Sequence, residues 1–110
     1  MGRSKKNDPE QVVVYKLLLR PESYEDLKES FQWYSNRSNI LGLEFIKEIE
    51  ECFRKIRSNP FSCQKIKKTL RRALIKKFPY GIFYKIDEDE IIVFAIFHLS
   101  RNPKGILRRF

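Results

Sequence analysis

The stretch LRRALIKKFPYGIFYKIDEDEIIVFAIFH, Leu70 to His98, decides the fold. Its apolar residues recur with a period near two rather than 3.6, which is the signature of strands. Leu70, Arg72, Leu74, Lys76 and Phe78 would share one face of a first strand, with Arg71, Ala73, Ile75 and Lys77 on the other. Tyr80 to Ile86 then reads as a second strand and Ile91 to His98 as a third, joined by the polar turn Asp87-Glu88-Asp89-Glu90. The last two carry apolar residues on both faces, as central strands do. The stretch therefore predicts a three-stranded antiparallel meander.

Upstream of it the period changes to helical. Tyr24, Leu27, Phe31 and Tyr34 recur at spacings of three and four, with Ser23 and Asp26 placed as a capping box at the helix start. After the polar run Ser35 to Asn39, a second helix is predicted from Gly42 to Asn59. Its buried stripe is Phe45, Ile49, Cys52, Phe53 and Ile56, with pairs Glu50–Arg54 and Glu51–Lys55 on the outer side and Asn59-Pro60 as the stop. The two form an antiparallel hairpin. Val12 to Leu19 (VVVYKLLL) is too short for an independent helix and reads as a buried first strand. Residues 1–11 read as a flexible tail and 12–110 as a single domain. The fold class is α+β: strand, two-helix hairpin, then the three-stranded antiparallel meander.

Composition narrows the functional classes. The formal charge is +9, and it is unevenly spread: Pro60 to Ile86 holds eight Lys or Arg and no acid, whereas ten of the fourteen acids lie in the first 51 residues. Such a field attracts phosphate backbones, anionic membranes or acidic proteins, and it also suits a solvated face kept for solubility. Two cysteines without CxxC spacing and one His do not provide a zinc ligand set, so no metal and no cofactor are expected. No apolar run reaches the roughly 20 residues of a membrane span. Two thiols without an export signal fit a reducing cytoplasm, and Cys52, in phase with its helix stripe, reads as a small buried hydrophobe.

Two helices can cover only part of such a sheet. The pattern therefore predicts an open concave face, edged by the basic strand from Leu70 to Phe78 and the basic C-terminus, on which cations distant in sequence converge. A face of that kind suits RNA, whose bases stack on planar side chains while its phosphates pair with cations.

These segments resemble the RelE/ParE toxin superfamily, and its ParE-like branch in particular. The resemblance rests on Asp26-Leu27 and Trp33-Tyr34, on Leu41-Gly42 with Phe45 and Ile49, on Arg71 through Tyr84, and on Val93 to His98 leading to Arg101-Asn102-Pro103. It implies the toxin of a type II toxin-antitoxin pair, held inactive by a cognate antitoxin laid across it as an extended helical or strand segment. It also implies one of several targets: messenger RNA cleaved on the ribosome, or DNA gyrase. Periodicity does not choose between them, and a stand-alone RNA-binding module stays open as a third reading.

The candidate catalytic residues are His98, Arg101 and Arg72. Cleavage at a 2′-hydroxyl needs a base, an acid and stabilisation of the phosphorane charge; arginine serves the last role and histidine either of the first two. By resemblance, Arg101 matches the arginine that nuclease members carry after the last strand, and Arg72 a basic position on the strand from Leu70 to Phe78. The candidate binding residues are Arg71, Lys76, Lys77, Tyr80, Tyr84, Arg108 and Arg109. Each has a structural reading beside it. His98 can be a hydrogen-bonded histidine at a sheet end, Arg101 a backbone cap or the partner of a helix acid, and the Arg71 to Lys77 cations a guard against edge pairing. The chain departs from the nuclease pattern at Gly81, where several members carry arginine, and at Ile106 and Leu107, where they carry a tyrosine. The tryptophan common in ParE-like tails is replaced by Ile106.

Overall fold

A computed structural model describes residues 13–101 and 108–109. The expected tail 1–11, Val12, the Asn102-Pro103 run and the Ile106-Leu107 departures lie outside the described residues. The element order is β1 (Lys16–Leu19), α1 (Pro21–Ser35), α2 (Asn39–Ser58), β2 (Gln64–Lys67), β3 (Leu70–Leu74), β4 (Tyr80–Asp87) and β5 (Glu90–His98). The five strands form one sheet in the order β1-β5-β4-β3-β2, with β1 parallel to β5 and the other pairs antiparallel.

Helix α1 begins at Pro21, whose fixed φ suits a first turn, and not at Ser23. Ser23 makes no capping box: it is fully buried and its hydroxyl donates to the Arg20 carbonyl. Ser30 likewise donates to Asp26, so two small hydroxylated residues lie on the inner face beside Leu27, Phe31 and Tyr34. Tyr24, expected in that stripe, is half exposed instead. Helix α2 starts three residues earlier than the periodicity predicts, because Ser38 accepts the Leu41 amide as an N-cap. Phe45, Ile49, Cys52 and Ile56 form its buried stripe as expected. On its outer side Arg54 pairs with Glu51 rather than with Glu50. Gly42 sits where α2 crosses the end of α1; a Cβ there would meet the Ser35 hydroxyl oxygen at 2.2 Å.

The helices pack on one sheet face, against Ala73, Tyr80, Ile82, Tyr84, Ile91, Val93 and Ile96. Tyr34, Phe45, Phe78 and Tyr80 form an aromatic knot there with ring centroids 4.8 to 6.1 Å apart. The opposite face carries Leu70, Phe83, Ala95 and Phe97, each less than a tenth exposed, with Ile66 and Leu99 against them.

Four differences from the sequence reading have physical reasons. The meander has four strands, since QKIK (Gln64–Lys67) pairs outside β3; with one inward apolar residue, Ile66, it shows little alternation. The strand from Leu70 ends at Leu74 and not at Phe78, because the chain leaves the sheet through a bend in which Lys77 has φ 70°. β1 is an edge strand of four residues rather than a buried one, and Leu18 is 44% exposed. Finally, the β4–β5 register slips at Phe83/Tyr84, so that Tyr84 pairs with Val93 and Phe83 with Ala95. This bulge at Phe94 puts His98 on the face of Ile91, Val93 and Ile96, whereas uninterrupted alternation along the strand would set it with Ile92 and Phe94.

Candidate functional site

Antiparallel pairing sets Tyr80, the first residue of β4, beside His98, the last of β5. Their rings meet edge to face with centroids 5.2 Å apart. The chain then turns sharply. The Leu99 amide donates to Pro79, and His98 Nδ1 accepts the amides of Ser100 at 3.1 Å and Arg101 at 3.0 Å. The turn aims Arg101 back over the helix side of the sheet, where Nη2 donates to the Tyr80 hydroxyl at 3.0 Å and the guanidinium lies 4.3 Å from the Trp33 ring centre. Arg37 stacks on the same indole at 3.4 Å and donates to the Trp33 carbonyl. One tryptophan at the end of α1 thus holds two guanidinium groups, each position being a favourable cation–π contact.

Further along β5 a second cation is fixed. β1 pairs only with Glu90 to Val93, so the outer edge of β5 from Phe94 to His98 has no strand neighbour among the described residues. Asp26 of α1 fills part of that edge: its Oδ2 accepts the Ile96 amide at 3.0 Å and Arg109 Nη1 at 2.7 Å. Arg109 also donates to the Phe94 carbonyl and stacks 4.5 Å from the Phe97 ring centre. Between α1 and this edge runs a groove of about 550 Å³. Its α1 wall is acidic, with Glu22, Glu25, Asp26 and Glu29; its other wall and ends carry Trp33, Tyr80, His98, Arg101 and Arg109.

The structure brings three candidates, His98, Arg101 and Tyr80, into one corner of this groove, with Arg109 further along it. It does not bring Arg72 there. Arg72 pairs with Phe83 and its side-chain carbons lie 3.2 and 3.3 Å from the position a Gly81 Cβ would take, on the face of the sheet away from the helices. The sheet stands between Arg72 and the His98–Arg101 corner. The expected convergence of cations on one open face is therefore corrected: that face has an apolar, buried centre, and the cations are divided between two sides.

The remaining candidates scatter. Arg71 donates to the Phe61 and Cys63 carbonyls and stacks on Phe61, which fastens the α2–β2 connection. Lys77 pairs with Glu48, and Lys76 lies beside Glu48 and Glu51 near α2. Tyr84 is fully buried, and its hydroxyl donates to the Pro60 carbonyl at 2.7 Å; burial raises its pKa. Arg108 is exposed. Cys52 is buried against the Leu74 carbonyl, and burial pushes its thiol up to about 12, leaving no reactive thiolate at neutral pH.

Trp33, Arg37 and the acidic wall of α1 were missed as site residues, although Trp33 and Asp26 carry part of the family resemblance. Periodicity places them on a helix but does not say which sheet edge that helix faces.

The corner's chemistry follows from its hydrogen bonds. Burial, and then the nearby Arg101, lower the His98 pKa, so the ring is neutral at pH 7. Because Nδ1 accepts two amides, the ring proton belongs on Nε2, an assignment made from the bonding pattern. Neutral His98 therefore offers the groove an N–H donor and has no free lone pair with which to act as a base. Among the described residues no three His, Cys, Asp or Glu side chains gather as a metal site. Among the described residues no helix is long and apolar enough to cross a membrane.

Comparison with known proteins adds the lineage. A family model described as the ParE toxin of the type II toxin-antitoxin system parDE matches residues 17–103. No curated protein matches the sequence. Among solved structures, a chain titled "Chromosomal ParDE TA system from P. aeruginosa" is similar to this one with a TM-score of 0.69 at 13% identity; the match covers 79% of this chain and 98% of that one. At that identity the likeness speaks for the fold.

Proposed function

The chain belongs to the ParE toxin family of type II toxin-antitoxin systems, and from that premise we propose that it is a cytoplasmic growth inhibitor, silenced by a cognate antitoxin, that acts by binding its target and not by cutting RNA. One observation carries the second half. The three residues needed for a nuclease reading are split by the sheet, with Arg72 on one side and His98 and Arg101 on the other. What remains in the corner is a donor-rich, rigid set: Arg101 held by Trp33 and Tyr80, and His98 held by its own turn. Such a set recognises an anionic or carbonyl group on a partner, but it supplies no base for a 2′-hydroxyl.

The groove supports the antitoxin half of the reading. Its acidic wall fits a segment of a partner that lies along the groove and presents Lys or Arg to Glu25 and Glu29. Induced expression is expected to arrest growth, and co-expression of the neighbouring gene product to restore it; a harmless chain that binds no neighbour overturns the proposal. Arg101→Ala and His98→Ala are expected to weaken the arrest while leaving the fold intact. A gyrase supercoiling assay beside a ribosome-programmed cleavage assay separates the modes. Cleavage of messenger RNA by the purified chain, abolished by His98→Ala, would replace binding with catalysis.

A further inference from the structure

The eight cations between Pro60 and Ile86 divide into two groups. Arg71 is satisfied within the fold by two carbonyls and Lys77 by Glu48, and Lys76 lines a small pocket near α2 together with Glu48 and Glu51. The other five, Lys65, Lys67, Lys68, Arg72 and Lys85, lie on the neighbouring strands β2, β3 and β4 and the turn between the first two. None of Lys65, Lys67, Lys68 and Arg72 has an ion pair or hydrogen-bond partner among the described residues; Lys85 lies 5.1 Å from the Phe94 ring centre.

Three of the five gather closely. Lys67 pairs with Leu70 across a two-residue turn in which Lys68 has φ 51°, and Leu70 neighbours β4 beside Lys85. Lys67, Lys68 and Lys85 line a depression of about 200 Å³ with Leu70. The nearest acids on the chain are in the turn Asp87 to Glu90. That turn begins two residues past Lys85, about 7 Å along the strand, so its first acid lies just inside one Debye length, about 8 Å, of that lysine and its tip lies beyond it. The acids lie past the lysines along β4, not among them.

Like charges held together without counter-charges raise the free energy of the isolated fold and lower that of a complex with a polyanion. We propose that this lysine cluster, with Arg72, is a docking surface for the phosphate backbone of duplex nucleic acid. Lysines offer mobile point charges suited to phosphates, and no aromatic face lines the depression on which an unpaired base could stack. The contact is therefore one of position and charge, without sequence preference. The depression stands at the opposite end of β4 from the Tyr80–His98 corner, and Arg72 lies on the other face of the sheet from that corner, so this inference is independent of the antitoxin reading.

The test is the salt dependence of binding by the full chain, followed by anisotropy with labelled duplex DNA and duplex RNA of mixed sequence. Engagement of about four phosphates predicts an affinity loss of about a hundredfold between 50 and 200 mM salt. In the variant Lys67→Gln/Lys68→Asn/Lys85→Gln, asparagine suits the positive φ at 68. With three contacts gone, the same change of salt should cost only about threefold to fourfold. A control, Lys28→Gln/Lys47→Gln/Lys55→Gln, loses the same net charge from the helices and should keep the steep dependence. Equal losses in the two triple variants, or binding to phosphatidylserine-containing vesicles in place of either duplex, would overturn the proposal. If only one duplex binds, the backbone source is thereby identified and the proposal stands for that nucleic acid.

Discussion

Replacing Asp26 by alanine tests how the groove is held together. Its carboxylate joins three segments: α1, on which it sits, the Ile96 amide of β5 and the Arg109 guanidinium. Ile96 is 1% exposed, so its amide would be left without a partner where water does not readily reach, which costs about 1–3 kcal/mol. The Arg109 side chain keeps 27% of its exposure, so its share of the pair is nearer a surface ion pair, about 0.5–1 kcal/mol. Together these give about 1.5–4 kcal/mol, which in urea is a midpoint shift of about 1–3 M for a small two-state domain. Asp26→Asn retains an acceptor for Ile96 and loses the charge, and is expected to cost about half as much. Arg109→Met should cost about 1 kcal/mol, and the double variant should fall short of the sum, since the residues are in contact. If Asp26→Ala unfolds within about 0.5 kcal/mol of the parent, the edge amide is not relying on this carboxylate. If Asn and Ala cost the same, the charge and not the hydrogen bond is what matters.

Three further outcomes follow from the geometry. Gly42→Ala would drive a methyl group into the Ser35 hydroxyl and against its Cα, costing about 1–3 kcal/mol in thermal unfolding, and adding Ser35→Gly should recover part of the loss. The His98 pKa is lowered in the fold, so its contribution to stability is complete above the unfolded value, about 6.5, and is lost as pH falls from there through the folded value; His98→Gln should remove that slope from denaturation midpoints measured between pH 5 and 7.5. Tyr84→Phe leaves the Pro60 carbonyl without its donor and should cost about 1–2 kcal/mol in urea unfolding while growth arrest is unchanged, since the ring contacts no surface.

Much of the fold was legible because β4 and β5 alternate strongly and the α2 stripe is regular. Strand β2 was illegible for a sound reason: an outer strand is protected by lysines, and a strand made of Gln, Lys, Ile and Lys looks like a loop. The alternation continues past Leu74 in the sequence although the chain has left the sheet, since a bend at a left-handed lysine leaves no mark on hydropathy. One extra residue at Phe94 leaves no mark in the alternation, yet it sets Ile91 and Val93, rather than Ile92 and Phe94, on the face of Ile96 and His98. As for the site, counting back from the Asp87–Glu90 turn would set Tyr80 opposite Phe97, and only the extra residue at Phe94 brings His98 there. Trp33 and Asp26 join them through the docking of α1 on the β5 edge, which depends on packing in three dimensions, and Arg72 was misplaced by assuming one open face.

The parallel pairing of β1 with β5 also orders events during synthesis. Lys16 to Leu19 finds its neighbours only at Glu90 to Val93, so the earliest strand made must wait for almost the last. The helical hairpin can form locally while the remaining strands are still being added, but closing so long a loop is entropically slow. A nascent or truncated chain lacking β5 would thus possess one wall of the groove and not the other. The groove would therefore be complete only after β5 had been made and had docked beside β1.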